Sequence, residues 1–137
     1  MYEHFEHTAD LGLRVRTADL NTLFAEAAES LFAAVVEDLH PVEPRKPVTV
    51  RVSSTDLAYL LFDWLRELLY RFEVHHQVFR RFEVKVGPDG LEGTAWGEPY
   101  DPGRHPLSHE VKAITYHGLR VEQTADGGWL AEVIVDI

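Results

Sequence analysis

Four short stretches of this 137-residue chain carry side chains able to do chemistry. The first is His7-Thr8-Ala9-Asp10. Thr and Asp in such a stretch hydrogen-bond local amides, which suffices for a tight turn. The other reading makes Asp10 a hard oxygen ligand at the ends of two strands. The second stretch is the C-terminus, Val133-Ile134-Val135-Asp136-Ile137. Asp has low strand propensity, yet Asp136 follows an apolar run and stands beside the α-carboxylate of Ile137. Two negative groups so close repel unless a cation or a basic side chain lies between them. Either the chain end is solvated, or it packs around a divalent ion. Oxygen-only ligands would then select Mg²⁺, Ca²⁺ or Mn²⁺ over zinc.

The third stretch, Trp96 to Pro106, reads as a loop stiffened by Pro99, Pro102 and Pro106. It holds Glu98, Asp101, Arg104 and His105, enough for acid/base or ligand duty or for a plain solvated loop. The fourth is Glu110 to His117, where strand alternation puts Lys112 on one face with Ile114 and Tyr116. A lysine among such neighbours either snorkels to water or meets an acid.

Other chemistries are excluded. Cysteine is absent, which removes disulfides, thiol nucleophiles, Fe–S clusters and thiolate zinc sites, and fits a cytosolic chain. The eight histidines form no zinc pattern. No P-loop, dinucleotide fingerprint, nucleophile elbow or H-E-x-x-H motif occurs. Thirteen basic against 23 acidic residues give a net charge of −10. Phosphate backbones are gripped by basic residues, so strong direct nucleic-acid binding is not expected. A cation or a basic protein partner suits the charge better. No apolar run reaches the ~18 residues of a membrane span, and Met1-Tyr2-Glu3-His4 opens without a basic leader. The expected location is cytoplasmic, without membrane contact.

Two helices and a set of hairpins must position these residues. Leu20, Leu23, Phe24, Ala27, Leu31, Ala34 and Val35 recur at helical spacing across Leu20 to Glu37, with Thr17 or Asp19 as cap. Leu57 to Val74 is apolar over a wider arc, which predicts a central helix. Strands are expected at Tyr2–Glu6, Leu11–Arg16, Val48–Val52, around Phe82–Val86, from Leu91, over Val111–Glu122 and over Trp129–Val135. Pro88-Asp89-Gly90 and Asp126-Gly127-Gly128 mark two hairpins. Residues 38–47, with Pro41, Pro44 and Pro47, form a connection within one domain spanning 1–137. The pattern predicts an α+β fold: two helices packed on one face of a mostly antiparallel sheet, as a single two-layer domain.

Read together, the four stretches resemble the archease family in order, spacing and the closing Asp136-Ile137, as does the helical segment Leu60 to Tyr70. The resemblance implies a protein cofactor, not a stand-alone enzyme. Archeases assist the tRNA-splicing RNA ligase by promoting guanylylation of its active-site histidine and restoring multiple turnover. The family's divalent-ion site falls on Asp10, Asp136 and Ile137. Ca²⁺ is the ion expected in a resting state, with Mg²⁺ or Mn²⁺ as alternatives. Glu98, His105 and Lys112 are expected to line the surface that meets the ligase. A metal-dependent phosphohydrolase using the same ion, and a metal-free chaperone-like binding module, are the competing readings.

Overall fold

In the computed structural model, which describes residues 1–7 and 10–137, the chain runs through eight strands and two helices. They are β1 (Tyr2–His7), β2 (Asp10–Thr17), α1 (Leu20–Val35), β3 (Lys46–Ser53), α2 (Leu57–His75), β4 (Gln77–Gly87), β5 (Gly90–Pro99), β6 (Ala113–Ile114), β7 (Arg120–Gln123) and β8 (Trp129–Asp136). The turn expected at Thr8-Ala9 lies outside the described residues. Among the described residues no helix is long and apolar enough to cross a membrane.

The α+β class is as expected, and every strand pairing is antiparallel. The expected single sheet is divided in two. One sheet has the order β1-β2-β8, with β6 and β7 both on the far edge of β8; the other is β3-β5-β4. The helices account for the division. Along α1 the residues Leu23, Phe24, Ala27, Ala28, Leu31, Phe32, Ala34 and Val35 are all buried, an arc too wide for one flat partner. This helix packs against β4 of the smaller sheet and against β1, β2 and β8 of the larger. Leu13, Val15 and Val133 from one sheet and Val50, Val84 and Ala95 from the other join one apolar cluster with it.

The local signals act where the sequence places them. Asp19 caps α1 by accepting from the Thr22 amide at 2.9 Å. Asp56 caps α2 by accepting from the amides of Ala58 and Tyr59. His76 ends α2 in the left-handed region, at φ 54°, and its amide reaches back to the last helical turn. The centre of α2 is Trp64, fully buried, whose indole N–H donates to the Phe24 carbonyl at 3.0 Å. Its ring lies on Gly93 of β5, where a Cβ would fall 2.4 Å from the indole. Gly93→Ala therefore forces the indole or the strand to move. The expected loss is about 1–3 kcal/mol, read as a lowered urea midpoint with an unchanged slope.

The strand expected over Val111–Glu122 is broken. Ala113 pairs with Asp136 and Arg120 with Glu132. Seven positions on this side thus span four on β8, so three residues are extruded. The extruded turn contains Gly118 at φ 66°, a conformation that favours glycine. Thr115 anchors it through its amide and its hydroxyl, both donating to the Ile134 carbonyl.

Candidate functional site

Strand register assembles the site at one end of the larger sheet. His7 lies opposite Asp10, Asp10 opposite Asp136, and Asp136 opposite Ala113. The two carboxylate residues, 126 positions apart in the chain, are direct cross-strand neighbours. Such neighbours have Cβ atoms roughly 4.5–5.5 Å apart, and like charges there destabilise the pairing. Among the described residues the sole ionic partner within 4.0 Å of Asp10 is His7, at 3.9 Å, and Asp136 has none. The His7 Nδ1 atom is shielded from water and has no hydrogen-bond partner among the described residues. The ring of His117, from the extruded turn, lies 5.0 Å from that of His7.

The same sheet face shows how its other acids are treated. Four residues along β8, Glu132 lies between Arg14 of β2 and Arg120 of β7, which also engage Glu3 and Glu122. Burial pushes the Glu132 carboxyl up, but the hydrogen bonds from Arg120 and Arg14 outweigh it and hold the group below its ordinary value. Arg14 also stacks on Phe5, 4.4 Å from the ring centroid. Phe5 in turn covers Gly12. One acidic position on this face is thus matched by two arginines, whereas Asp10 and Asp136 meet each other.

Asp10 and Ile137 also share a groove of about 580 Å³, lined further by His4, Glu6 and His109. The structure therefore brings Asp10, Asp136 and Ile137 to one sheet end. Among the described residues no group of three or more His, Asp or Glu side chains is arranged to enclose a metal ion. Asp10 and Asp136, with no lysine or arginine partner among the described residues, are oxygen donors of the kind hard divalent cations take. Such a set is open on its solvent side.

Glu98 and His105 are placed differently from the expectation. Both are buried, at 6% and 0% exposure, so neither lines a contact surface. Glu98 accepts from Arg104 at 2.8 Å, from the Glu43 amide at 2.9 Å and from His105 Nε2 at 2.9 Å. His105 Nδ1 accepts from the Asp101 amide at 2.9 Å, which fixes the proton on Nε2. Burial alone would push the Glu98 carboxyl up; the hydrogen bonds from Arg104, Glu43 and His105 prevail and hold it at about 2. The physical reason for the burial is the 41–45 segment. Arg104 bridges Glu98 to the Pro41 carbonyl, and the Arg45 amide reaches the Gly97 carbonyl. These residues fasten two stretches of coil, 41–45 and 101–105, to the end of β5.

From there the chain is strapped over the end of α1. The Pro106 carbonyl accepts from the Glu37 amide, and the Ser108 and His109 amides donate to the Val35 and Ala34 carbonyls. The strap ends at Lys112, whose amide donates to the Asp136 carbonyl at 2.8 Å. Lys112 precedes β6 and is exposed, so it does not share a regular strand face with Tyr116 as expected. Of the three residues expected at the partner surface, it alone is accessible. His109, which the spacing did not single out, enters the groove because the strap carries it there.

Comparison with known proteins gives a consistent result over the whole chain. The model of the archease protein family (MTH1598/TM1083) matches residues 2–137. A protein archease from Methanopyrus kandleri is 45% identical over 140 residues, covering 99% of each chain. One from Pyrococcus furiosus is 40% identical, covering 99% of this chain and 98% of that one. The solution structure of Methanobacterium thermoautotrophicum protein 1598 superposes with a TM-score of 0.85 at 36% identity, covering 99% and 98% of the two chains. A crystal structure of an archease, described as a possible chaperone, from Thermotoga maritima has the same fold, with a TM-score of 0.64 at 17% identity.

Proposed function

The chain belongs to the archease family, and on that premise we propose that it acts as a protein activator of the tRNA-splicing RNA ligase, not as an enzyme of its own. Family membership from end to end is the observation that carries this reading, and the paired carboxylates give it a physical site. The Asp10–Asp136 end of the sheet docks at the nucleotide site of the ligase and promotes guanylylation of the ligase histidine. In that step the histidine nitrogen bonds to the α-phosphorus of GTP and pyrophosphate leaves.

Asp10, Asp136 and Ile137 would hold a divalent cation at this end, Ca²⁺ at rest with Mg²⁺ or Mn²⁺ as alternatives. Bound there, the cation supplies positive charge for phosphate oxygens. The chain's own residues do the positioning. Antiparallel pairing fixes Asp10 against Asp136, and the Lys112 amide ties down the Asp136 backbone. The exposed Lys112 ammonium then stands at the margin of the site, where it can meet an acid or a phosphate of the complex. The net charge of −10 steers the chain toward a ligase that must be basic where it holds RNA.

The test is a single-turnover guanylylation assay of the cognate ligase with radiolabelled GTP, with and without this chain. The expected result is faster labelling with the chain, and no acceleration by a variant lacking residues 136 and 137. Equal labelling in all three arms overturns the proposal. A metal-dependent phosphohydrolase would instead turn over phosphoesters with Mn²⁺ and no ligase, and a metal-free binding module would be indifferent to the truncation.

A further inference from the structure

We infer that Tyr59 and Tyr116, a rigid pair of half-exposed rings beside the carboxylate site, form the aromatic anchor by which this chain docks on a cationic protein surface, that of the ligase. This inference rests on the reading above.

Tyr116 projects from the extruded turn between β6 and β7. Its ring stacks on Phe62 of α2, with centroids 3.9 Å apart and planes 15° from parallel. Tyr59, one helical turn before Phe62, meets Tyr116 edge to face at 5.6 Å. Phe62 itself is buried, whereas Tyr59 and Tyr116 remain 51% and 55% exposed. A chain folding for stability alone has no need of the extruded residues, because an unbroken strand would pair with β8 throughout. Here the extrusion is pinned by Thr115 and turned at Gly118, so the rings are already ordered. Ordered tyrosines give up little entropy on association and are enriched among residues that dominate binding energy.

Position and charge identify the occupant. The residue after Tyr116 is His117, whose ring contacts His7, which faces Asp10. The aromatic pair is therefore linked to the Asp10 end of the sheet through His117 and His7, and one partner would cover both. A partner bringing lysines or arginines finds the exposed parts of two tyrosine rings and, beyond His117 and His7, Asp10 and Asp136. The net charge of −10 opposes a nucleic-acid backbone, which favours protein over RNA at this surface.

The experiment measures binding separately from activation. Intact wild-type chain, the Tyr59→Ala/Tyr116→Ala double variant, Asp136→Asn and a Tyr70→Ala/Val74→Ala control are titrated against purified ligase by interferometry. The control removes the other exposed apolar residues of α2. The double variant is expected to weaken binding at least tenfold, while the control binds as wild type. Asp136→Asn is expected to lose guanylylation and to weaken binding less than the double variant does. Because Tyr116→Ala uncovers Phe62, hydrogen exchange on the wild-type complex gives a second readout, with protection expected at residues 115–119 and in the first half of α2. Wild-type binding that the double variant retains within twofold, or protection elsewhere, overturns the docking surface alone. A wild-type chain that neither binds nor stimulates the ligase overturns both readings.

Discussion

Asp136→Asn is expected to abolish stimulation of the ligase and at the same time to leave the metal-free chain more resistant to unfolding. Both effects come from one geometry. Asp136 faces Asp10 across the β2–β8 ladder with no lysine or arginine within 4.0 Å among the described residues. Removing one of two opposed charges relieves a repulsion worth about 0.2–1 kcal/mol. On the proposed function, the same change also removes a charged oxygen ligand. Loss of even an outer supporting group typically lowers metal affinity about 10–100-fold, so loss of a direct ligand should do at least as much. Thermal melts in EDTA should rank Asp136→Asn at or above wild type, and melts in millimolar CaCl₂ should reverse the order. A variant equally destabilised in both buffers would mean that Asp136 is structural. Conflict between stability and function is expected at a site built to hold a ligand.

The second large effect is at Glu98. Glu98→Ala leaves the buried His105, the Glu43 amide and the half-exposed Arg104 without their common acceptor. Leaving the buried His105 donor unsatisfied costs about 1–3 kcal/mol, so the melting temperature should fall by several degrees. Glu98→Gln keeps an acceptor for one of these donors and should fall between. The wild-type chain should show the same dependence with pH. The carboxyl stands at about 2 in the folded chain against 4.5 when free. Its stabilisation is therefore complete above pH 4.5 and is lost as the pH falls toward 2. Acid unfolding of wild type should be steep across that window, and that of Glu98→Gln shallow. The strap from Glu98 ends on the Asp136 carbonyl by way of Lys112, so loosening it also loosens the site.

What could be read from the residues depended on how local the cause was. Asp19 and Asp56 caps, the α2 core around Trp64 and the hairpins at Pro88-Asp89-Gly90 and Asp126-Gly127-Gly128 have signals within a few residues of their effect. The division into two sheets has no such signal, because it depends on the width of the apolar arc of α1 and on what that arc can cover. Nor does the break after Ile114. Val111 to Glu122 alternates well enough for a strand, and only pairing with β8 shows the three extra residues. Glu98 and His105 look like solvated loop residues from composition. Their burial follows from Arg104 and from the 41–45 segment, which is distant in sequence. Asp10 and Asp136 were identifiable as unusual residues, whereas their juxtaposition is a matter of register across the whole chain.

Titration calorimetry of Ca²⁺ into metal-free chain, set beside Asp10→Asn and Asp136→Asn, puts the strand-end carboxylates to the most direct trial. One ion bound per wild-type chain, with binding weakened at least tenfold in each variant, is the predicted result. Heat absent from the wild type, or isotherms that the two substitutions leave unchanged, would contradict it.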